Sequence, residues 1–186
     1  KTITDVAPVV PNSMIICRNV APLVDVYFQM LALSKPCYIK SEDILSGVIR
    51  YMKPYSIKRV VEARHDMAID LNALSSKRDE ESRIKAYKAK ENFTIFKLLT
   101  KHLATDTTKI KDLILKLKGM CVKKTGASML CSIHKSKGLE ADVVYILNEN
   151  LIPSKFAKSP EQLKQEQNLK YVARTRARDE MYFLNL

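Results

Sequence analysis

Five short apolar runs set the fold class of this chain. Residues 13–17, 36–40, 128–133, 142–147 and 180–184 are each five or six long, apolar for most of their length, and bounded by polar segments. Runs of this length suit strands buried on both faces of a sheet. The segments between them carry a helical period. Residues 20–33 read as one helix. Residues 41–52 read as a second, with Ser41 as N-cap and Pro54 as the stop. Ser56 opens a third, with Ile57, Val60, Val61, Ala68, Leu71 and Leu74 along one face. Strands separated by helices predict an α/β fold with a mostly parallel sheet flanked by helices.

The middle of the chain is different in kind. Ser75, Ser76 and Lys77 break the apolar pattern, and a long helix is expected after them, with Ile84, Tyr87, Ile95, Leu98 and Leu99 inward. A further helix over 108–118 places Ile110, Leu113, Ile114 and Leu117 on one side, with Gly119 as its C-cap. Lys109, Lys111, Lys116 and Lys118 lie mostly opposite. Residues 77–124 hold fourteen Lys or Arg against six acids, eight of the net +12. Such an excess asks for an acidic partner, of which nucleic acid is the commonest. A lysine face that only meets solvent has the same pattern, so both readings stand.

Several classes are excluded or disfavoured. No stretch approaches the roughly 18 uninterrupted apolar residues of a membrane span. Residues 1–11 have no apolar core of a signal peptide. Cys17, Cys37, Cys121 and Cys131 form no C-x-x-C pair, and His65, His102 and His134 share no ligand spacing. No metal site is expected, and the cysteines read as small reduced hydrophobes in a cytoplasmic or nucleoid-associated protein.

Two segments carry chemistry. Residues 132–140 read Ser-Ile-His-Lys-Ser-Lys-Gly-Leu-Glu and directly follow an expected strand. A polar loop after a strand is a common ligand position in an α/β sheet, and Gly138 would let backbone approach a phosphate. Residues 159–162, Ser-Pro-Glu-Gln, combine an N-cap, a proline at N1 and a capping-box glutamine. They start a helix that ends near Arg174, after which Arg176 and Arg178 alternate. Arginine suits phosphate because its planar fork donates paired hydrogen bonds and keeps its charge. Cations also suit a helix C-terminus without any ligand.

Taken in order, His134-x-x-Lys137-Gly138-Leu139-Glu140 and Tyr171-Val172-Ala173-x-Thr175-Arg176-Ala177 resemble motifs V and VI of the UvrD/Rep/PcrA helicases of superfamily 1A. The resemblance is strong over 128–184 and weaker over 14–52, where Ile16-Cys17-Arg18-Asn19 looks like the family's motif IVa. It implies a RecA-like domain with a small helical insertion: a first part over 1–75, the basic insertion over 76–127, and a second part over 128–186. Residues 77–124 match no named module.

The resemblance also implies roles. Arg176 matches the arginine that reaches the ATP γ-phosphate, Glu140 the acid near the ribose, and Gly138 the backbone beside the phosphates. Ser132 and His134 match positions facing single-stranded DNA, with Arg18 and Asn19 near the same track. Ser132 replaces the usual threonine and keeps its hydroxyl, and Ala141 replaces a common phenylalanine. None of the four glycines belongs to a G-x-x-x-x-G-K-[ST] loop. ATP and Mg2+ would therefore be used by the full-length enzyme, with the Mg2+ ligands on an N-terminal RecA-like domain of the same protein. The expected function is the C-terminal motor domain of a DNA helicase moving 3′ to 5′. A RecB/AddA-like nuclease-coupled subunit and a non-catalytic nucleic-acid-binding module on the same fold remain open.

Overall fold

The computed structural model describes all 186 residues. The chain divides into two units, Lys1–Ile44 with Cys121–Leu186, and Leu45–Met120.

The first unit is built on a six-stranded sheet: β1 (Thr2–Ile3), β2 (Met14–Cys17), β3 (Cys37–Ile39), β4 (Ser128–Ser132), β5 (Ala141–Leu147) and β6 (Ala177–Leu184). Their order is β1-β6-β5-β2-β4-β3, and every pairing is parallel. This is the α/β arrangement of a RecA-like domain. The centre is β2, paired on both edges, and Met14, Ile15, Ile16 and Cys17 are completely buried. That burial explains why the run has no polar alternation. At roughly 25 cal/mol per Å² of apolar surface, each such side chain contributes about 1.5–3 kcal/mol. Helix α1 (Val20–Ala32) packs against β2, β3 and β4 through Leu23, Val24, Val26, Tyr27, Phe28 and Met30.

The expected strands all form, with ends displaced by a residue or a few; β6 begins at Ala177, three residues earlier than the run at 180. Ser41 stands just before α2 (Glu42–Met52), but its hydroxyl is buried without a hydrogen-bond partner. The expected cap is therefore not made. The capping box at the start of α6 (Pro160–Arg174) is formed: Ser159 Oγ accepts from the Gln162 N–H, and Gln162 Oε1 accepts from the Ser159 N–H.

The second unit is helical and holds most of α2, α3 (Val60–Ser75), α4 (Glu80–Leu103) and α5 (Ile110–Gly119). It spans Leu45–Met120, and within it α3 packs along α4. Helix α3 starts at Val60, not Ser56, and turns Val60, Ala63 and Met67 inward, leaving Ile57, Val61 and Ile69 exposed. Its register is pinned from afar. Val60 N–H donates to Thr108 O and Ile110 N–H to Lys58 O, around an antiparallel bridge of Arg59 with Lys109. Helix α4 buries Ile95, Phe96, Leu99 and Thr100, while Ile84 is exposed. Gly119 ends α5 as its last helical residue, and Met120, in the ordinary helical region, is the cap. No helix is long and apolar enough to cross a membrane.

Candidate functional site

Strand register divides the site residues into two groups. Cys17 pairs with Ser132 on one side and Leu147 on the other, so all three lie at the sheet's carboxyl edge. Arg18, Asn19, Ser132 and His134 gather there. Ala141 pairs with Ala177 at the opposite edge, and the Ala141 N–H donates to Arg176 O at 3.1 Å. Glu140 and Arg176 stand at this amino edge, and Gly138 lies in the loop that leads to it.

The chain must cross between the edges in the residues between Ser132 and Ala141. Ala141 stands six residues before Leu147 in β5, which is about 20 Å at 3.3 Å per residue. A helical crossover needs a dozen or more residues. A 3-10 turn over Ile133–Ser136 and a second turn at Lys137–Gly138, closed by the Leu139 N–H donating to Ser136 O at 2.9 Å, make up most of this segment instead. Ser132 starts the turn, its Oγ accepting from the Lys135 N–H at 3.3 Å, and Ser136 Oγ donates to Ile133 O at 2.8 Å. Gly138 has φ +78°, and a Cβ there would meet nothing within 4 Å. Glycine is required by the backbone conformation, and the space above it is open. Helix α6 makes the same descent, about 22 Å for its fifteen residues.

At the carboxyl edge, Arg18 is not free. Its Nη2 donates to Glu166 Oε1 at 2.8 Å and its Nε to Oε2 at 3.1 Å. The Ser154 N–H donates to Glu166 Oε2 at 3.0 Å. Burial pushes the Glu166 carboxyl upward, but Arg18, the Ser154 N–H and His134 together hold it below the ordinary value. His134 is lowered by burial first and by Arg18 second, against a smaller opposing effect of Glu166. A cleft of about 370 Å³ opens here, lined by Arg18, Ile133, His134, Lys137, Asn168 and Leu169 among others. Asn19 occupies the N-cap position of α1 without capping it through its side chain.

Three alternate arginines, from the end of α6 to the start of β6, have three different surroundings. Arg174 donates from Nε to Glu149 Oε1 at 2.9 Å and shares that carboxylate with Lys170. Arg178 holds Asp142 with Nε at 2.9 Å and Nη2 at 2.8 Å. Arg176 has no carboxylate partner. Its Nε donates to Val172 O at 2.9 Å, Nη1 to Leu139 O at 3.1 Å, and Nη2 to Thr175 Oγ1 at 3.0 Å. A guanidinium has five N–H groups, so two are left for a ligand. Glu140 is exposed beside it. The fork and its spare donors fit a phosphate.

Two contributors escaped the sequence reading. Glu166 lies in series with Leu169 and Ala173 on the inward stripe of α6, and an acid on that stripe was the available signal. Thr175 had no signal beyond its place in the motif. The chain has no group of three or more His, Cys, Asp or Glu side chains placed to hold a metal ion.

Comparison with known proteins adds two findings. The family model for the UvrD-like helicase C-terminal domain matches residues 40–185. A protein named as a probable DNA helicase II homolog, from Mycoplasma capricolum subsp. capricolum, is 27% identical over 175 residues. The match covers 90% of this chain and 22% of that relative, so the chain spans under a quarter of the relative's length.

Proposed function

The chain belongs to the UvrD-like helicase C-terminal domain family, and from that premise we propose that it is the second RecA-like motor domain of an ATP-dependent DNA helicase. ATP binds between this domain and an N-terminal RecA-like domain of the same protein, which holds the Mg2+. Arg176 turns its two spare N–H groups to the γ-phosphate and neutralises charge as the phosphoryl group leaves, an effect of about 10³–10⁵ in rate for such arginines. Gly138 and Glu140 border the nucleotide, Glu140 toward the ribose.

The observation that carries this reading is the contrast among the three arginines. Two are neutralised by carboxylates, and the third is held by neutral oxygens with donors to spare. Single-stranded DNA follows the carboxyl edge past Ser132 and His134, with Arg18 and Asn19 alongside, through phosphate contacts and base stacking without sequence readout. Movement is 3′ to 5′.

The test compares the full-length protein with this chain alone. The full-length protein should hydrolyse ATP in a DNA-stimulated, Mg2+-dependent manner, and the isolated chain should not. Turnover by the purified chain, abolished by Arg176→Ala, would contradict the half-site reading.

A further inference from the structure

Arg176 is a flexible side chain just past the end of α6, and something must fix its fork. Helix α6 leaves carbonyls without helical partners at its end. The Thr175 N–H bonds to Tyr171 O at 3.1 Å and Val172 O at 3.3 Å. The Thr175 hydroxyl points its single proton at the same carbonyls, 3.2 Å from Tyr171 O and 3.1 Å from Val172 O. With its proton so committed, the oxygen presents a lone pair outward, and Arg176 Nη2 donates to it at 3.0 Å. Nε donates to Val172 O on the same helix end, where the helix dipole favours a cation. Nη1 reaches the other motif segment at Leu139 O. Each nitrogen of the guanidinium thus has one fixed acceptor.

We propose that Thr175 is a positioning residue for Arg176: its hydroxyl, aimed by the α6 carbonyls, works with Leu139 O to set the plane of the fork and the direction of the two spare N–H groups. The proposal rests on the reading of Arg176 given above. Threonine suits the position because it accepts from the guanidinium while its own proton is used locally, and its β-branching restricts χ1. Valine keeps the shape and the branching and removes the hydroxyl, both the acceptor for Arg176 and the proton given to the α6 carbonyls.

The experiment is steady-state and single-turnover ATP hydrolysis by the full-length protein with saturating single-stranded DNA. Thr175→Val should lower kcat by about 10- to 100-fold, the scale of a misplacement near 1 Å, with KM for ATP nearly unchanged. Thr175→Ser should recover most of the rate. In the Arg176→Ala background, Thr175→Val should have little further effect. A thermal melt accompanies each variant, and Thr175→Ala replaces Thr175→Val if the latter melts below the assay temperature. The proposal is overturned if removing the hydroxyl leaves kcat unchanged while Arg176→Ala abolishes turnover. It is equally overturned if the loss is as large without Arg176 as with it, or if Ser does not rescue. Wild-type turnover by Arg176→Ala would instead defeat the underlying role of Arg176, and the proposal with it.

Discussion

Arg18 Nη2 lies 2.8 Å from Glu166 Oε1, and the pair ties the loop after β2 to the first half of α6. Glu166 is the one charged residue buried in the chain, at 8% exposure. Removing one partner of such a pair strands the other charge. Glu166→Ala should destabilise the chain by about 2–3 kcal/mol, the buried-pair cost reduced for the part-exposed arginine. Urea unfolding measures it. A loss under about 0.5 kcal/mol, the range of ordinary surface substitutions, would show that the pair is solvent-screened.

The same cluster makes stability depend on pH in two windows. Glu166 is lowered in the fold, so its contribution is present above the unfolded value near 4.5 and is lost as pH falls through the folded value. His134 is also lowered, so protonation favours the unfolded chain once pH falls below about 6.5. Unfolding free energy should therefore decline on acidification from 6.5, and decline again below 4.5. His134→Gln should flatten the first decline and Glu166→Gln the second. Unchanged profiles in both variants would refute the assignment.

Gly138 gives a simpler test. At φ +78° with open space around it, an added Cβ meets strain but no clash. Gly138→Ala should cost about 1–2 kcal/mol, without rearrangement detectable by far-UV circular dichroism. A stabilising effect would contradict the left-handed conformation.

The lysines of the helical unit bear on DNA binding. Lys109, Lys111, Lys116 and Lys118 are all exposed, but Lys116 Nζ donates to Leu103 O. If this face meets DNA, binding weakens steeply with salt as counterions are released. Replacing Lys109, Lys111 and Lys118 with Gln should flatten the salt slope, and Lys116→Gln should change it least. A slope unchanged by the triple substitution assigns the face to solvent.

Those features were legible to different degrees for physical reasons. Strands buried on both faces announce themselves locally, as Met14–Cys17 and residues 144–147 do, and the capping box at Ser159 is a four-residue signal. The inward face of α3 was misread because the hydrogen bonds from Val60 to Thr108 and from Ile110 to Lys58 set its start. Ala63 and Met67 then turn inward in place of Ile57 and Val61. The motif segments were readable as chemistry, but not the spread of the first of them from one sheet edge to the other. That follows from the register of β2 with both β4 and β5, which no local pattern encodes. Glu166 was hidden by its type, since acids on helices are usually solvated.

The central claim is that Arg176, and neither neighbour, acts on the nucleotide. Simple charge would make Arg174, Arg176 and Arg178 equivalent, whereas the carboxylates of Glu149 and Asp142 already occupy the outer two. The direct measurement is DNA-stimulated ATP hydrolysis by the full-length protein carrying each alanine substitution in turn, with thermal melts alongside. Arg176→Ala should lower kcat by about 10³-fold or more with little change in DNA affinity. Arg176→Lys should rescue poorly, because an ammonium lacks the planar fork. Arg174→Ala and Arg178→Ala should retain most of the turnover. Equal losses in all three, or near wild-type turnover by Arg176→Ala, would contradict the account.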